Sequence, residues 1–166
     1  MSYNHVNLII GCGNILYGDD AFGPEVIRYM KENNIPLKGD SILIDGATSA
    51  PHYIFTLPED KWKNIIIIDI ASMNEESGTI KTLNLEEIHE EERYMDVHGL
   101  SATYPLHELK DKVNIKLVCI QPEYLPSEMD MKLSPTIEEK IPQTADKVIE
   151  VLESMINDTE NKSQEK

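Results

Sequence analysis

The stretch "NIIIIDIA", residues Asn64 to Ala71, decides the fold. Four consecutive isoleucines followed by Asp-Ile-Ala show none of the in–out alternation of a half-exposed strand. Such a β-branched run is a strand buried on both faces, and strands of that kind belong in the middle of a parallel sheet. Its one interior polar residue, Asp69, stands near the carboxyl end. Ligands of open parallel sheets collect in the crevice beyond the strand carboxyl ends. A carboxylate is costly to bury there unless donors or a cation meet it. Asp69 therefore reads either as a partner for a helix amino end or as a cation ligand.

Working outward, "VNLIIG" (Val6 to Gly11) is a short buried strand ended by glycines. In "GPEVIRYMKENN", Val26, Ile27 and Met30 fall on one helical face, Pro24 suits the first turn, and Asn33-Asn34 close the helix. "SILID" is a second strand, ending at Asp45 with "GATSAP" as its turn, and "PHYIFTL" reads as a short helix up to Pro58. "GTIKTLNL" alternates and marks a more exposed strand, "SATYPLHEL" is helix-like despite Pro105, and "NIKLVCIQ" is another strand. "SPTIEEKIPQTADKVIEVLESMI" reads as one long terminal helix starting at Ser134-Pro135, with Pro142 kinking it or delaying its regular part. Strands and helices alternate without repeat or linker. The expectation is a single α/β domain over residues 1–156: a three-layer sandwich with a mainly parallel, twisted sheet of about five strands and helices on both faces. The polar tail, residues 157–166, is expected to fray.

Composition narrows the function. The chain has 166 residues, 40% of them hydrophobic, and a formal net charge of −15. A surface so acidic repels a polyanion, which argues against nucleic acid as a partner. No apolar run approaches the roughly 20 residues of a membrane span. The amino end has neither a basic segment nor a cleavage site, so a cytoplasmic protein is expected. Two cysteines, Cys12 and Cys119, are too few and too far apart for a disulfide framework or a paired-cysteine metal site. They read as buried thiols, with Cys12 as a nucleophile beside His98 the alternative.

The loop after the first strand, "GCGNILYGDDAFGPE" (Gly11 to Glu25), looks at first like a phosphate cradle. A dinucleotide fingerprint needs a third glycine where Leu16 stands, and a P-loop needs Gly-Lys-Ser/Thr, which is absent. The adjacent Asp19 and Asp20 would repel a phosphate. One aspartate caps a helix amino end; the second is left for a divalent cation. His98, in "YMDVHGLSATYP", taken alone is an ordinary hydrogen-bonded histidine. With Asp20 and Asp69 it would complete two oxygens and one imidazole nitrogen, a set suited to nickel, zinc or iron with positions open for substrate. No Ser-His-Asp order or HExxH motif offers a separate hydrolytic centre.

From "LIIGCGNILYGDDAFGPEVI" through "LIDGATSA", "IIIIDIA" and "DVHGLS" to "QPEYLPSEMDMKLSPTIEEKI", the chain resembles the hydrogenase maturation endopeptidases. These trim the carboxyl-terminal extension from the large subunit of nickel–iron hydrogenases. The resemblance implies Asp20, Asp69 and His98 as metal-contacting and catalytic residues, with Asp19 as a cap or neighbouring partner. It also implies a substrate-facing loop at Asp45, Gly46, Ala47 and Thr48, where Ala47 replaces the usual second glycine. The implied partner is a nickel–iron hydrogenase large-subunit precursor, and the implied cofactor is a nickel ion supplied by that substrate. "GDDAFGP" looks most like relatives that serve archaeal coenzyme F420-reducing hydrogenases. A small domain acting on a large partner points to a monomer. The rival readings are a non-proteolytic nickel chaperone, a cysteine hydrolase and a nucleotide-binding module. Dinucleotides should leave the thermal midpoint unchanged in a melting titration; a saturable rise with NAD would restore the nucleotide reading.

Overall fold

The isoleucine run lies at the centre of the sheet. A computed structural model describes residues 6–48, 62–84 and 113–164. In it β3 (Asn64–Ile70) pairs in parallel with β1 (Asn7–Cys12) on one side and β5 (Asn114–Ile120) on the other. Beyond β1 lies β2 (Ser41–Ala47), also parallel. β4 (Ile80–Asn84) completes the order β2-β1-β3-β5-β4 and runs antiparallel to β5. Every residue of β3 is buried, which is why its sequence lacks alternation. The direction of β4 follows from its connection: the stretch from Ile70 to Ile80 is shorter than the about a dozen residues that a parallel crossover requires. It passes over the end of β5, where Ala71 N–H reaches the Ile120 carbonyl and Gly78 N–H the Gln121 carbonyl.

Helix α1 (Phe22–Glu32) buries Val26, Ile27 and Met30, the three residues placed on one face by their spacing. Pro24 falls inside the first turn, where a missing N–H removes no intrahelical bond. Asn34 ends the helix in the left-handed conformation (φ 49°). There Ile35 N–H bonds to the Met30 carbonyl and Asn34 N–H to that of Lys31, both at 3.1 Å. This is a Schellman closure, and Ile35 packs back onto the core that holds Met30.

The terminal helix differs from the sequence expectation in two ways. It is broken into α2 (Pro135–Glu138) and α3 (Ile141–Gln164). Pro142 lies in the first turn of α3, because its ring would clash with the carbonyl four residues back in a continuous helix. The tail expected to fray is helical as far as Gln164. Its anchor is polar: the Thr159 hydroxyl bonds to Asn64 Oδ1 at 3.1 Å, and Lys38 Nζ to Asn157 Oδ1 at 3.2 Å. Asn64 in turn donates to Asn7, and Asn7 to the Ser41 hydroxyl, so one relay ties the helix to the amino ends of three strands.

Two apolar clusters flank the sheet. On one face Ile9, Ile66, Ile68 and Val118 pack under α1 and α3, against Phe22, Val148, Leu152 and others. On the other, Leu8, Ile10, Ile65, Ile67 and Leu117 are also buried. The helices expected from "PHYIFTL" and "SATYPLHEL", and with them His98, lie outside the described residues. No helix among the described residues is long and apolar enough to cross a membrane.

Among the described residues, Ala47 alone has a positive φ while being neither glycine nor asparagine. Ala47, at the end of β2, has φ +44° beside an irregularity in the β1–β2 pairing. The left-handed conformation costs an alanine roughly 1–2 kcal/mol, and glycine's extra unfolded-state freedom offsets about 0.4–1 kcal/mol of any relief. Ala47→Gly should therefore stabilise the fold by roughly 0.5–1 kcal/mol in urea unfolding; a loss of stability would show the strain to be absent.

Candidate active site

In the order β2-β1-β3-β5-β4, the chain leaves β1 toward one edge of the sheet and β3 toward the other. The crevice between the carboxyl ends of β1 and β3 is thus the topological switch point, where open α/β sheets bind ligands. Two acids meet there. Asp69 stands at the penultimate position of β3, and Asp20 lies on a single 3-10 turn (Gly18–Ala21) that leads from the β1 loop into α1. Both are buried.

Glycines set this placement. A Cβ on Gly23 would lie 2.4 Å from both the Cys12 and Ile68 carbonyl oxygens, so the start of α1 rests directly on the ends of β1 and β3. From the other side of the contact, a Cβ on Gly11 would lie 2.4 Å from the Gly23 oxygen. Gly13 turns with φ +137°, and a Cβ there would fall 1.9 Å from the Asp20 carbonyl oxygen. The glycines serve close packing of backbone on backbone. With the loop so folded, Asn14 N–H donates to Asp20 Oδ2 at 3.1 Å.

The electrostatics follow from burial. Removal from water pushes the Asp69 carboxyl well above the usual range, and the negative charge of Asp20 pushes it further; the Ile70 N–H, 2.8 Å from Asp69 Oδ1, pulls the other way. Cys12, Asp69 and Cys119 stand abreast on neighbouring strands, Asp69 directly opposite Cys119. Burial raises the Cys12 thiol well above its ordinary value, and Asp69, Cys119, Asp20 and Asp45 add to the effect. Burial and Asp69 likewise raise Cys119. A thiolate at Cys12 would thus form among carboxylates, the reverse of what activates a nucleophilic cysteine. Nor can the two thiols form a disulfide. With β3 between β1 and β5, their backbones are roughly 9–10 Å apart, beyond disulfide reach.

Asp19 has a role that the sequence left open between a cap and a neighbouring partner. Its fully buried carboxylate caps nothing on its own turn. Instead it accepts the N–H groups of Glu123 (2.9 Å), Tyr124 (2.7 Å) and Ser134 (2.8 Å), and the Ser134 hydroxyl (2.9 Å). It clamps the loop after β5, residues 121–134, to the loop that carries Asp20. Backbone bonds reinforce the clamp: Gly18 N–H to the Asp130 carbonyl, Asp130 N–H to that of Leu16, and Asp19 N–H to that of Tyr124. Sequence reading gave this second loop no role beyond its part in the family resemblance. Its signal was "EYLPSEMDMKL", where large apolar residues stand in a proline-interrupted segment with no strand or helix period.

The Asp45–Thr48 loop lies at the same edge of the sheet. Gly13 N–H donates to the Ala47 carbonyl at 3.0 Å, and Asp45 Oδ1 accepts the Ala47 N–H at 3.1 Å. Asp45 and Thr48 are exposed, Gly46 is buried. The structure thus brings Asp20 and Asp69 to one crevice with this loop beside them. Among the described residues no three metal-ligating side chains cluster, and the third expected ligand, His98, lies outside that set.

Fold and crevice together are those of an open α/β domain with two acids at its switch point, and comparison with known proteins gives the family. Residues 24–151 match the hydrogenase maturation protease family. The coenzyme F420 hydrogenase subunit delta of Methanothermobacter thermautotrophicus is 34% identical over 156 residues, which cover 90% of this chain and 96% of that protein. The hydrogenase 3 maturation protease of Escherichia coli K12 is 26% identical over 118 residues, 70% of this chain and 73% of that one. In fold, a NiFe hydrogenase maturation protease of Thermococcus kodakarensis superposes with a TM-score of 0.71 at 23% identity, covering 90% of this chain and 93% of that one. The chain belongs to the hydrogenase maturation protease family. It is accordingly a peptidase of hydrogenase maturation, a family whose substrate is the precursor of a nickel–iron hydrogenase large subunit.

The two neighbouring functions of acid in this crevice predict opposite signs. Asp19→Ala strands three N–H donors, that of Ser134 buried and those of Glu123 and Tyr124 partly so, and at about 1–3 kcal/mol for a buried donor and less for the others should cost roughly 3 kcal/mol. Asp69→Asn should instead raise the thermal midpoint at neutral pH. The folded state holds the Asp69 proton above the pKa of the unfolded chain, so native stability falls as pH rises from the ordinary carboxylate range through the raised value. The gain from Asp69→Asn should grow over that window; melting curves from pH 4 to pH 8 that run parallel for the two proteins would refute the burial of a raised carboxyl.

Proposed function

We propose that this chain is the endopeptidase that removes the carboxyl-terminal extension of a coenzyme F420-reducing nickel–iron hydrogenase large-subunit precursor, after reading the nickel already held by that precursor. One observation carries the reading: two buried carboxylates, Asp20 and Asp69, converge at the switch point so closely that one raises the pKa of the other. Like charges in such a place are stabilised by a cation. Oxygen donors there, with the imidazole of His98 as the third ligand, fit a borderline divalent ion such as nickel, and the ion enters with the substrate. Bound nickel would supply Lewis-acid polarisation of the scissile carbonyl or a more acidic water. The chain's own groups do the rest. Asn14 N–H and the turn at Gly13 hold the Asp20 carboxylate over the strand ends, and the Asp45–Thr48 loop faces the incoming peptide. The relative named for the coenzyme F420 hydrogenase supports that choice of substrate. We place the protein in the cytoplasm as a monomer, with no nucleic-acid partner in view of its net charge of −15.

The test is a cleavage assay followed by mass spectrometry, using that precursor with and without nickel. The nickel-loaded precursor should lose one carboxyl-terminal peptide and the nickel-free form none. Asp20→Ala and Asp69→Ala should lower the rate by about a hundredfold or more, the scale of losing a transition-state contact, and Cys12→Ser should cut normally. Nickel transfer without mass loss would make the protein a chaperone, and cleavage lost with Cys12→Ser would make it a cysteine hydrolase.

A further inference from the structure

The exposed large apolar side chains of the described residues do not scatter. Ile15 (44% exposed), Tyr124 (45%), Leu125 (37%), Met129 (65%) and Met131 (64%) all lie on the two loops that Asp19 clamps together. They form one surface. Ile15 and Met131 line the same groove, Met129 and Met131 flank Asp130, and the Tyr124 hydroxyl donates to the Asp130 carboxylate at 3.2 Å. Single exposed apolar residues are ordinary on a soluble protein, whereas a contiguous set marks an interaction surface, and methionine suits one that must fit an irregular partner. The groove also includes Ala21, the chain neighbour of Asp20, so this surface runs up to the acid crevice.

We propose that this Met-rich surface docks the folded body of the large-subunit precursor, through an apolar patch rimmed by lysine and arginine, and so delivers the scissile segment to Asp20 and Asp69. The inference rests on the proteolytic reading above and adds the recognition surface to it. Charge selects the occupant. In the groove itself Glu25 and Glu138 balance Arg28 and Lys132, but the 121–134 loop adds Glu123, Glu128 and Asp130, and the whole chain carries −15. A second copy would bring the same acidic rim against this one, whereas a basic rim complements it. The clamp explains why the surface is built on a loop at all. The Asp19 carboxylate bonds directly to the docking loop while its chain neighbour is Asp20, so a partner seated on Met129 and Met131 is held in fixed register with the crevice.

The experiment uses the full chain and the purified, nickel-loaded F420-reducing hydrogenase large-subunit precursor. Binding is measured by calorimetry in an Asp20→Ala background, and cleavage is measured in the wild-type background. Met129→Ser combined with Met131→Ser should weaken binding about tenfold and raise KM by a similar factor, with kcat within about twofold, since interface anchors act on affinity. Unchanged melting would show that these exposed positions leave the fold intact. Glu123→Lys with Glu128→Lys should weaken binding and flatten its salt dependence. The proposal falls if the methionine variant binds and cuts as wild type, if its loss is confined to kcat, or if sedimentation shows a wild-type dimer that the methionine substitutions dissociate. Docking without any cleavage would overturn the proteolytic reading and leave the surface standing; cleavage indifferent to the surface would do the opposite; neither binding nor cleavage would overturn both.

Discussion

The structure depends on one close contact, the first turn of α1 set directly on the ends of β1 and β3. Gly23 meets the Cys12 and Ile68 carbonyls at a distance that excludes any side chain, and Gly11 allows the approach from below. Because the helix starts there, the turn before it must fold back over the strand ends, which carries Asp20 above β3 and Asp69. In a dinucleotide-binding fold, similar glycines bring a helix amino end to a pyrophosphate. Here they bring it to its own sheet, and the ligand space lies beside the acids. A methyl group at either glycine would move the loop and with it the whole crevice.

The site is held against its own electrostatics. Asp69 is buried beside Asp20 and between two thiols that are themselves raised, an arrangement that costs stability at neutral pH. Asp19 works in the opposite sense. Its charge is buried too, but four donors meet it, so the same residue type one position away holds two loops together. Adjacent aspartates in the sequence thus divide into a structural clamp, Asp19, and the crevice acid, Asp20, whose charge strains Asp69. On the proposed reading the strain is relieved only when the substrate brings a cation, which ties the crevice to correctly loaded precursor.

Much of the fold could be read from patterns that reflect single physical causes. The unbroken isoleucines of β3 meant burial on both faces, the spacing of Val26, Ile27 and Met30 meant one helical face, and the alternation in "GTIKTLNL" meant a more exposed strand. What escaped depended on contacts far apart in sequence. Pro142 announced a disturbance, but whether it kinks one helix or separates two depends on packing. The tail looked too polar to stay ordered, yet Thr159 finds a partner in Asn64, 95 residues away. The role of Asp19 was hidden for the same reason: its partners lie more than 100 positions along the chain, with separations of 104, 105 and 115. Of the site, Asp20 and Asp69 were legible because a carboxylate at a strand end or in a glycine loop is locally anomalous. The loop proposed for docking was not, because exposure of a methionine is a property of the folded surface.

The central claim is that Asp20 and Asp69 take the precursor's nickel into their own coordination. X-ray absorption at the nickel edge, on the nickel-loaded precursor alone and in complex with this protein, tests it most directly. The account predicts that the complex gains oxygen or nitrogen ligands, and that Asp20→Asn or Asp69→Asn removes part of that gain while the precursor still binds. A nickel spectrum that is the same in the free precursor and in the complex would contradict it.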